Sequence, residues 1–311
     1  MASYDTKLSL PQDRPYIGDL AAYCIAYRIG GISFGIFADR DLRMKLDPAL
    51  SDFAVAPESC DVNMRVSLTD LLEVPLGTPL FESGGLWSLF EEPDGYRFSF
   101  KRPFPGETPY KAAWFDREFK TGHVLLSRQY FEEGIATYPL EYPLDEVLMI
   151  HRLARGEGVE VHAVGIVDET GRGNLFLGHS GAGKSTSARL WQSRAGVHIL
   201  SDDRIILRVR EGKIWMFGTP WHGDAGIASP DSAPLDEIYF LEHAQSNEIV
   251  PLRAGLAAAE LFVRCFVPHH CAEGLQFALS FVERVTREIP CNVFRFVPDE
   301  SAVEAIRRAR D

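Results

Sequence analysis

The stretch NLFLGHSGAGKSTSARLW, residues 174–191, decides how the rest of the chain is read. Inside it, GHSGAGKS (residues 178–185) follows the pattern glycine, four residues, glycine, lysine, serine. A bare match of this kind arises by chance, so its flanks matter. The apolar run Leu175, Phe176, Leu177 leads in as a short strand, and STSARLWQSR leads out with helical character. A glycine-rich turn without a ligand needs neither flank. Strand, glycine loop and helix together are what phosphate binding requires.

The physical reason lies in the backbone. Gly178, Gly181 and Gly183 allow a tight curl in which several N–H groups converge on one anion. The helix starting near Lys184 adds its unpaired first-turn N–H groups and its dipole. His179, Ser180, Ala182 and Thr186 complete the cradle by position. Lys184 reaches the β- and γ-phosphates, and the Ser185 hydroxyl ligates Mg²⁺. The expected cofactors are therefore ATP and Mg²⁺.

Nineteen positions beyond Lys184, VHILSDDRIILRV delivers Asp202 and Asp203 at the end of an apolar run. Side chains alternate along a strand, so adjacent aspartates point to different places and take different jobs. One can hold Mg²⁺, and the other can take a proton from an attacking hydroxyl. Alone, the pair would read as a solvated turn; behind a phosphate loop it reads as chemistry. His162, in the strand pattern VEVHAVGIV, is a third candidate, although a strand histidine is commonly a hydrogen-bonded core residue.

Composition sets the limits. The chain has 311 residues, 46% of them apolar, a formal charge of -12 and a pI near 5.3. That balance disfavours nucleic acid and anionic membranes as partners. No run approaches the length of a membrane span, and the N-terminus lacks a secretory pattern, so a cytoplasmic protein is expected. The five cysteines are scattered and read as reduced thiols. CFVPHHC, residues 265–271, offers four zinc-ligand types but no recognised zinc spacing, and reads as a helix end.

Residues 1–140 carry strand signals and turns. The segment 23–38 is β-branched and aromatic, broken by glycines; 85–104 reads as a hairpin turning at Pro93-Asp94-Gly95. Residues 111–127 suggest two strands around Thr121-Gly122. A boundary is placed near residues 138–143. Residues 141–311 then alternate helices and strands, beginning with helical spacing at Leu144, Val147, Leu148, Ile150 and Leu153. The expected fold is α/β: a β-rich N-terminal domain (1–140), with an uncertain substrate- or partner-binding role, precedes a P-loop domain (141–311) with a mixed sheet.

VHA at residues 161–163, GHSGAGKST and ILSDDRIIL in succession resemble the HPr kinase/phosphorylase family, and the wider kinases of phosphoenolpyruvate carboxykinase type. The resemblance is strongest over residues 143–207. Looser stretches at GTPWHGDAG, APLDEIYFLEH and IPCNVFRFVPDES look like the uncharacterised HPr-kinase-like members. It implies Asp203 as general base, Asp202 as magnesium partner, His162 in the active site, and a serine hydroxyl of a small protein or peptide as acceptor. Family members assemble as hexamers, so a homo-oligomer is an open expectation. Two features depart from the pattern. Thr186 stands where true HPr kinases carry an acid, and FGTPWHGDAGIASP, residues 217–230, replaces their EIRGLGI signature. In that run Asp224 offers a metal contact and His222 a substrate contact. Arg204, Arg253 and Arg264 are candidates for stabilising transferred charge. The competing readings are a nucleotide-binding sensor or scaffold without turnover, a small-molecule kinase, and carboxykinase activity, whose further motifs are absent.

Overall fold

The computed structural model describes residues 24–309 apart from 39–41, 71, 74, 76, 102–107, 132–134 and 180. The described N-terminal residues form an eight-stranded sheet: β1 (Cys24–Ile29), β2 (Ile32–Ala38), β3 (Val62–Thr69), β4 (Phe81–Glu82), β5 (Trp87–Glu92), β6 (Gly95–Phe100), β7 (Lys111–Asp116) and β8 (Thr121–Ser127). Its spatial order is β1-β2-β3-β8-β7-β6-β5-β4. Gly30 and Gly31, both at positive φ, turn β1 back onto β2.

Two turns differ in detail from the sequence reading. β5 and β6 close through Pro93-Asp94 alone, with Glu92 opposite Gly95. Gly95 belongs to the strand, paired with Asp116 of β7, and must be glycine because a Cβ there would lie 1.9 Å from the Phe115 carbonyl oxygen. Thr121 and Gly122 likewise belong to β8, not to a turn. The turn falls at 117–120, because the Asp116 carboxylate accepts the amides of Glu118, Lys120 and Thr121.

The second half builds a ten-stranded mixed sheet. Its elements are α1 (Leu144–Leu153), β9 (Val159–Val167), β10 (Gly173–Leu177), α2 (Lys184–Gln192), β11 (His198–Ser201), β12 (Arg204–Arg210) and β13 (Lys213–Phe217), then β14 (Ser232–Pro234), β15 (Glu237–His243), β16 (Glu248–Pro251), α3 (Ala254–Phe262), β17 (Cys265–Phe266), α4 (Ala272–Glu288), β18 (Cys291–Phe296) and α5 (Ser301–Arg308). β10, β15 and β18 run parallel, whereas β9 pairs antiparallel with β10, β11, β12 and β17. Helices α3 and α4 cover one face, where Val159, Val161 and Ala163 are buried. The opposite face holds Val164 and Ile166 against α2 and α5. Alternation along β9 therefore turns Glu160 and His162 away from the α3–α4 face.

α1 joins the two halves. Its apolar side (Leu144, Val147, Leu148, Met149, Leu153) packs into the N-terminal core, which Ile206 and Phe217 of the second sheet also enter. The polar side of α1 brings two acids to the same place. Asp145 is 7% exposed and Glu146 5% exposed. Burial pushes the Asp145 carboxyl from 3.8 up to about 7. Nearby, burial pushes the fully enclosed Lys111 down to about 8, with Glu141 acting against the shift.

A stability effect follows. In the unfolded chain Asp145 loses its proton near pH 4; folded, it keeps it up to about 7. Folding thus takes up a proton between those values, and stability falls as pH rises from about 4 to about 7. Glu160, raised by burial and then by Glu146, works in the same direction. The Asp145 contribution is on the order of 4 kcal/mol. Urea titrations should show Asp145→Asn more stable than wild type at pH 8 and a flatter profile between pH 5 and 8.

Candidate functional site

The glycine loop leaves β10 between the parallel neighbour β15 and the start of α2. Gly181 and Gly183 have φ of 80° and 102°, in the left-handed region. At Gly183 a Cβ would also meet the Phe296 ring at 2.5 Å, so backbone and packing both require glycine. At Gly178 a Cβ would meet the Ala182 side chain at 2.5 Å, so the close folding of the loop leaves room only for glycine there. Ser180 lies outside the described residues. No side chain caps α2, which leaves its first-turn amides, through Ser185 and Thr186, without an intrahelical acceptor. Those amides, with the helix dipole, define an anion cradle.

Lys184 is 7% exposed. Its Nζ donates to the Gly178 carbonyl at 2.9 Å and the His179 carbonyl at 3.3 Å. Burial lowers its pKa, Asp203 opposes that shift, and Arg264 and Arg204 add to it. His243, at the end of β15, donates from Nε2 to the Gly181 carbonyl at 2.9 Å and stacks on Phe296. Nothing in the sequence motif marks His243; only the parallel pairing of β15 with β10 carries it to the loop.

The two aspartates form the bend between β11 and β12, not a strand, and part company there. Asp203 Oδ1 accepts the His162 Nε2–H at 2.8 Å, and its Oδ2 accepts from Arg204. Burial would raise the Asp203 pKa, but the His162 hydrogen bond and the Arg204, His162 and Lys184 charges hold it below the usual carboxylate range. Asp202 is 1% exposed and turns the other way. Its carboxylate accepts the amides of Gly223, Ala225 and Ile227 at 3.0, 2.8 and 3.2 Å. The oxygens expected beside a metal thus hold the 223–227 loop. Asp202→Ala should leave three amides unpaired and cost on the order of 3 kcal/mol, seen as a lower unfolding temperature and faster amide exchange at 223–227.

Arg204 is the hub on the far side. Its Nε donates to Glu146 Oε1 at 2.8 Å and lies 3.5 Å from Glu160 Oε1. The guanidinium also covers the Phe266 ring at 4.3 Å. Glu160 is wholly buried, with its carboxyl against that of Glu146 and beside the Arg204 guanidinium. Arg264 shares the neighbourhood: its carbonyl accepts the His162 amide, and its charge reaches Lys184. Arg253 sits exposed at the start of α3 and makes no side-chain cap. His222 is exposed beside Asp203 and Arg204 in one cavity, and Asp224 is exposed on the same loop. The sequence reading missed Glu146, Glu160 and His243, which become neighbours of the motif only through packing of α1, β9 and β15.

The segment 265–271 does something else. Cys271 Sγ caps α4 by accepting the Gly274 amide. His270 donates to Nε2 of His151, whose own Nδ1–H binds the Val147 carbonyl at 2.7 Å. Burial pushes His151 down to about 3, which keeps that ring neutral. Among the described residues, no group of three or more His, Cys, Asp or Glu side chains is arranged to hold a metal ion.

No family model matches the chain, and no curated protein matches it. Among solved structures, the Hpr(Ser) kinase/phosphatase from Coxiella burnetii is similar at 13% identity, covering 49% of this chain and 92% of that one, with a TM-score of 0.28. The likeness to that kinase/phosphatase fold is weak and partial. The architecture is a β-rich N-terminal part followed by a mixed α/β part. Among the described residues, no helix is long and apolar enough to cross a membrane.

Proposed function

We propose that the chain is an ATP-dependent kinase that transfers the γ-phosphoryl group to a hydroxyl, with serine of a small protein or peptide as the acceptor class. The observation that carries this reading is one juxtaposition. Lys184 closes a glycine loop against α2, and Asp203, bonded to His162, stands near enough for its charge to act on that lysine. Anion cradle and base thus occupy one site. The ordered motifs shared with the HPr kinase/phosphorylase family support the same reading.

In this proposal the amides of residues 178–186 surround the triphosphate, and Lys184 exchanges its two carbonyl partners for phosphate oxygens. The Ser185 hydroxyl would hold Mg²⁺, which would supply positive charge to offset that of the phosphates. Asp202 acts by holding the 223–227 loop. Asp203 orients the acceptor hydroxyl and takes its proton, while His162 and Arg204 keep the carboxylate ionised and aimed. Residues 141–311 carry the nucleotide, and residues 1–140 supply part of the acceptor's surroundings. The decisive experiment is transfer of label from [γ-³²P]ATP, with Mg²⁺, by wild type and Asp203→Asn to hydroxyl-bearing peptides and small molecules. Label that moves in wild type and not in the variant supports a kinase. Tight ATP binding without transfer to any acceptor would instead favour a sensor.

A further inference from the structure

A cavity of about 310 Å³ opens beside Asp203, between the 3-10 turn at Pro48–Phe53, the start of α1 and the loop at 220–222. Its size is at the small end for ligand sites, enough for one side chain or a small molecule. Four carboxylates line it, Asp47, Asp145, Glu146 and Asp203, against a single guanidinium, Arg204. That guanidinium is already engaged by Glu146, Glu160 and Asp203. Two buried ammoniums act on these acids from outside the lining: Lys111, paired with Glu141 at 3.6 Å, on Asp145, and Lys184 on Asp203.

The wall is built rather than incidental. Asp145 is nine-tenths buried and reaches the cavity, where its carboxyl accepts the adjacent Glu146 amide and is approached by the Trp221 side chain. Glu160, wholly buried, stands behind Arg204 against the Glu146 carboxyl. Enclosing this many acids with too few cations costs stability, and such costs gather at functional sites. Tyr142 and Trp221 add aromatic surface. Acids backed by aromatic faces suit an organic cation.

We propose that the hydroxyl acceptor carries a positive group, an ammonium or guanidinium, which sits in this cavity and thereby places the hydroxyl at Asp203. The proposal rests on the kinase reading for the fate of the hydroxyl, but the cation preference can be measured without nucleotide. Two sources share the chemistry, a basic residue beside serine in a peptide and a free amino alcohol. Titration calorimetry at pH 8, above the Asp145 value of about 7, would compare N-acetyl-seryl-arginine amide with its glutamine and glutamate counterparts, and ethanolamine with ethylene glycol.

The arginine peptide or ethanolamine should bind at least tenfold more tightly than its neutral counterpart, and the glutamate peptide most weakly. Whichever pair shows the preference identifies the source. Asp145→Asn should remove most of the preference while leaving the neutral probe unchanged. Asp47→Asn should weaken it by a smaller factor; Asp47 is exposed, and Asn can still accept the Ala49 amide, so the fold is preserved. Equal binding of cationic and neutral probes, no binding of any probe at millimolar concentration, or a preference surviving Asp145→Asn would overturn the proposal. A preference that holds where ATP neither binds nor transfers would sink the kinase reading alone. Transfer to neutral acceptors without the preference would sink this inference alone.

Discussion

Asp203→Asn should lower phosphoryl transfer by about 10²–10⁴-fold while ATP stays bound. The substitution is nearly isosteric, and the amide oxygen can still accept the His162 Nε2–H that Asp203 receives at 2.8 Å. The His162 contact is therefore kept, while the proton acceptor and the Arg204 hydrogen bond to Oδ2 are lost. Removing a negative charge that acts on Lys184 should leave nucleotide affinity unchanged or slightly tighter. Because Asp203 lies below the usual carboxylate range, wild-type transfer should not decline from loss of this base until the pH falls below about 4. The measurement is kcat against acceptor in parallel with ATP titration calorimetry. Equal kcat in both proteins would remove Asp203 from the mechanism.

Lys184→Ala should act on both binding and turnover. The lysine's two hydrogen bonds go to loop carbonyls, so the ammonium is held where phosphate oxygens would replace them. Charge-assisted bonds of this kind contribute about 1.5–3 kcal/mol each, so ATP affinity should fall by at least tenfold. Turnover should fall further, by about 10²–10³-fold, because charge on the transferred group grows in the transition state. Burial already disfavours the Lys184 ammonium, so the unfolding temperature without nucleotide should change little. The stabilisation that MgATP gives wild type, about 2.7 kcal/mol at a hundredfold excess over its Kd, should fall to about 1.4 kcal/mol or less at the same concentration. A variant that keeps the full nucleotide-induced shift would show that the loop does not bind triphosphate through this lysine.

Much of the site was legible before any coordinates. A strand run, three glycines and a lysine at fixed spacing define a loop by local geometry alone, and Gly181 and Gly183 take the positive φ that such a loop needs. Asp202 and Asp203 face different partners, but both lie in the bend between β11 and β12, so the turn of the chain separates them and not strand alternation. Which aspartate took which partner was not legible. Asp202 found the amides of 223–227 because that loop folds back over the end of β11, twenty-odd residues later in the chain. Arg204 was one of three arginine candidates. It became the hub when α1 delivered Glu146 and β9 delivered Glu160 to its guanidinium.

Local sequence determined whatever depends on neighbours along the chain: the glycine loop, the helix that follows it, the β-rich start and the α/β alternation after it. Backbone conformation and side-chain periodicity are short-range properties, and a few residues suffice to express them. Tertiary structure alone decided the rest. The site gathers residues from positions 145 to 243, and the acidic cavity adds Asp47 from the other half of the chain. Charges and hydrogen bonds act over a few ångströms in space regardless of separation along the chain. The excess of buried carboxylates beside Asp203 therefore exists only once α1 closes the two sheets together.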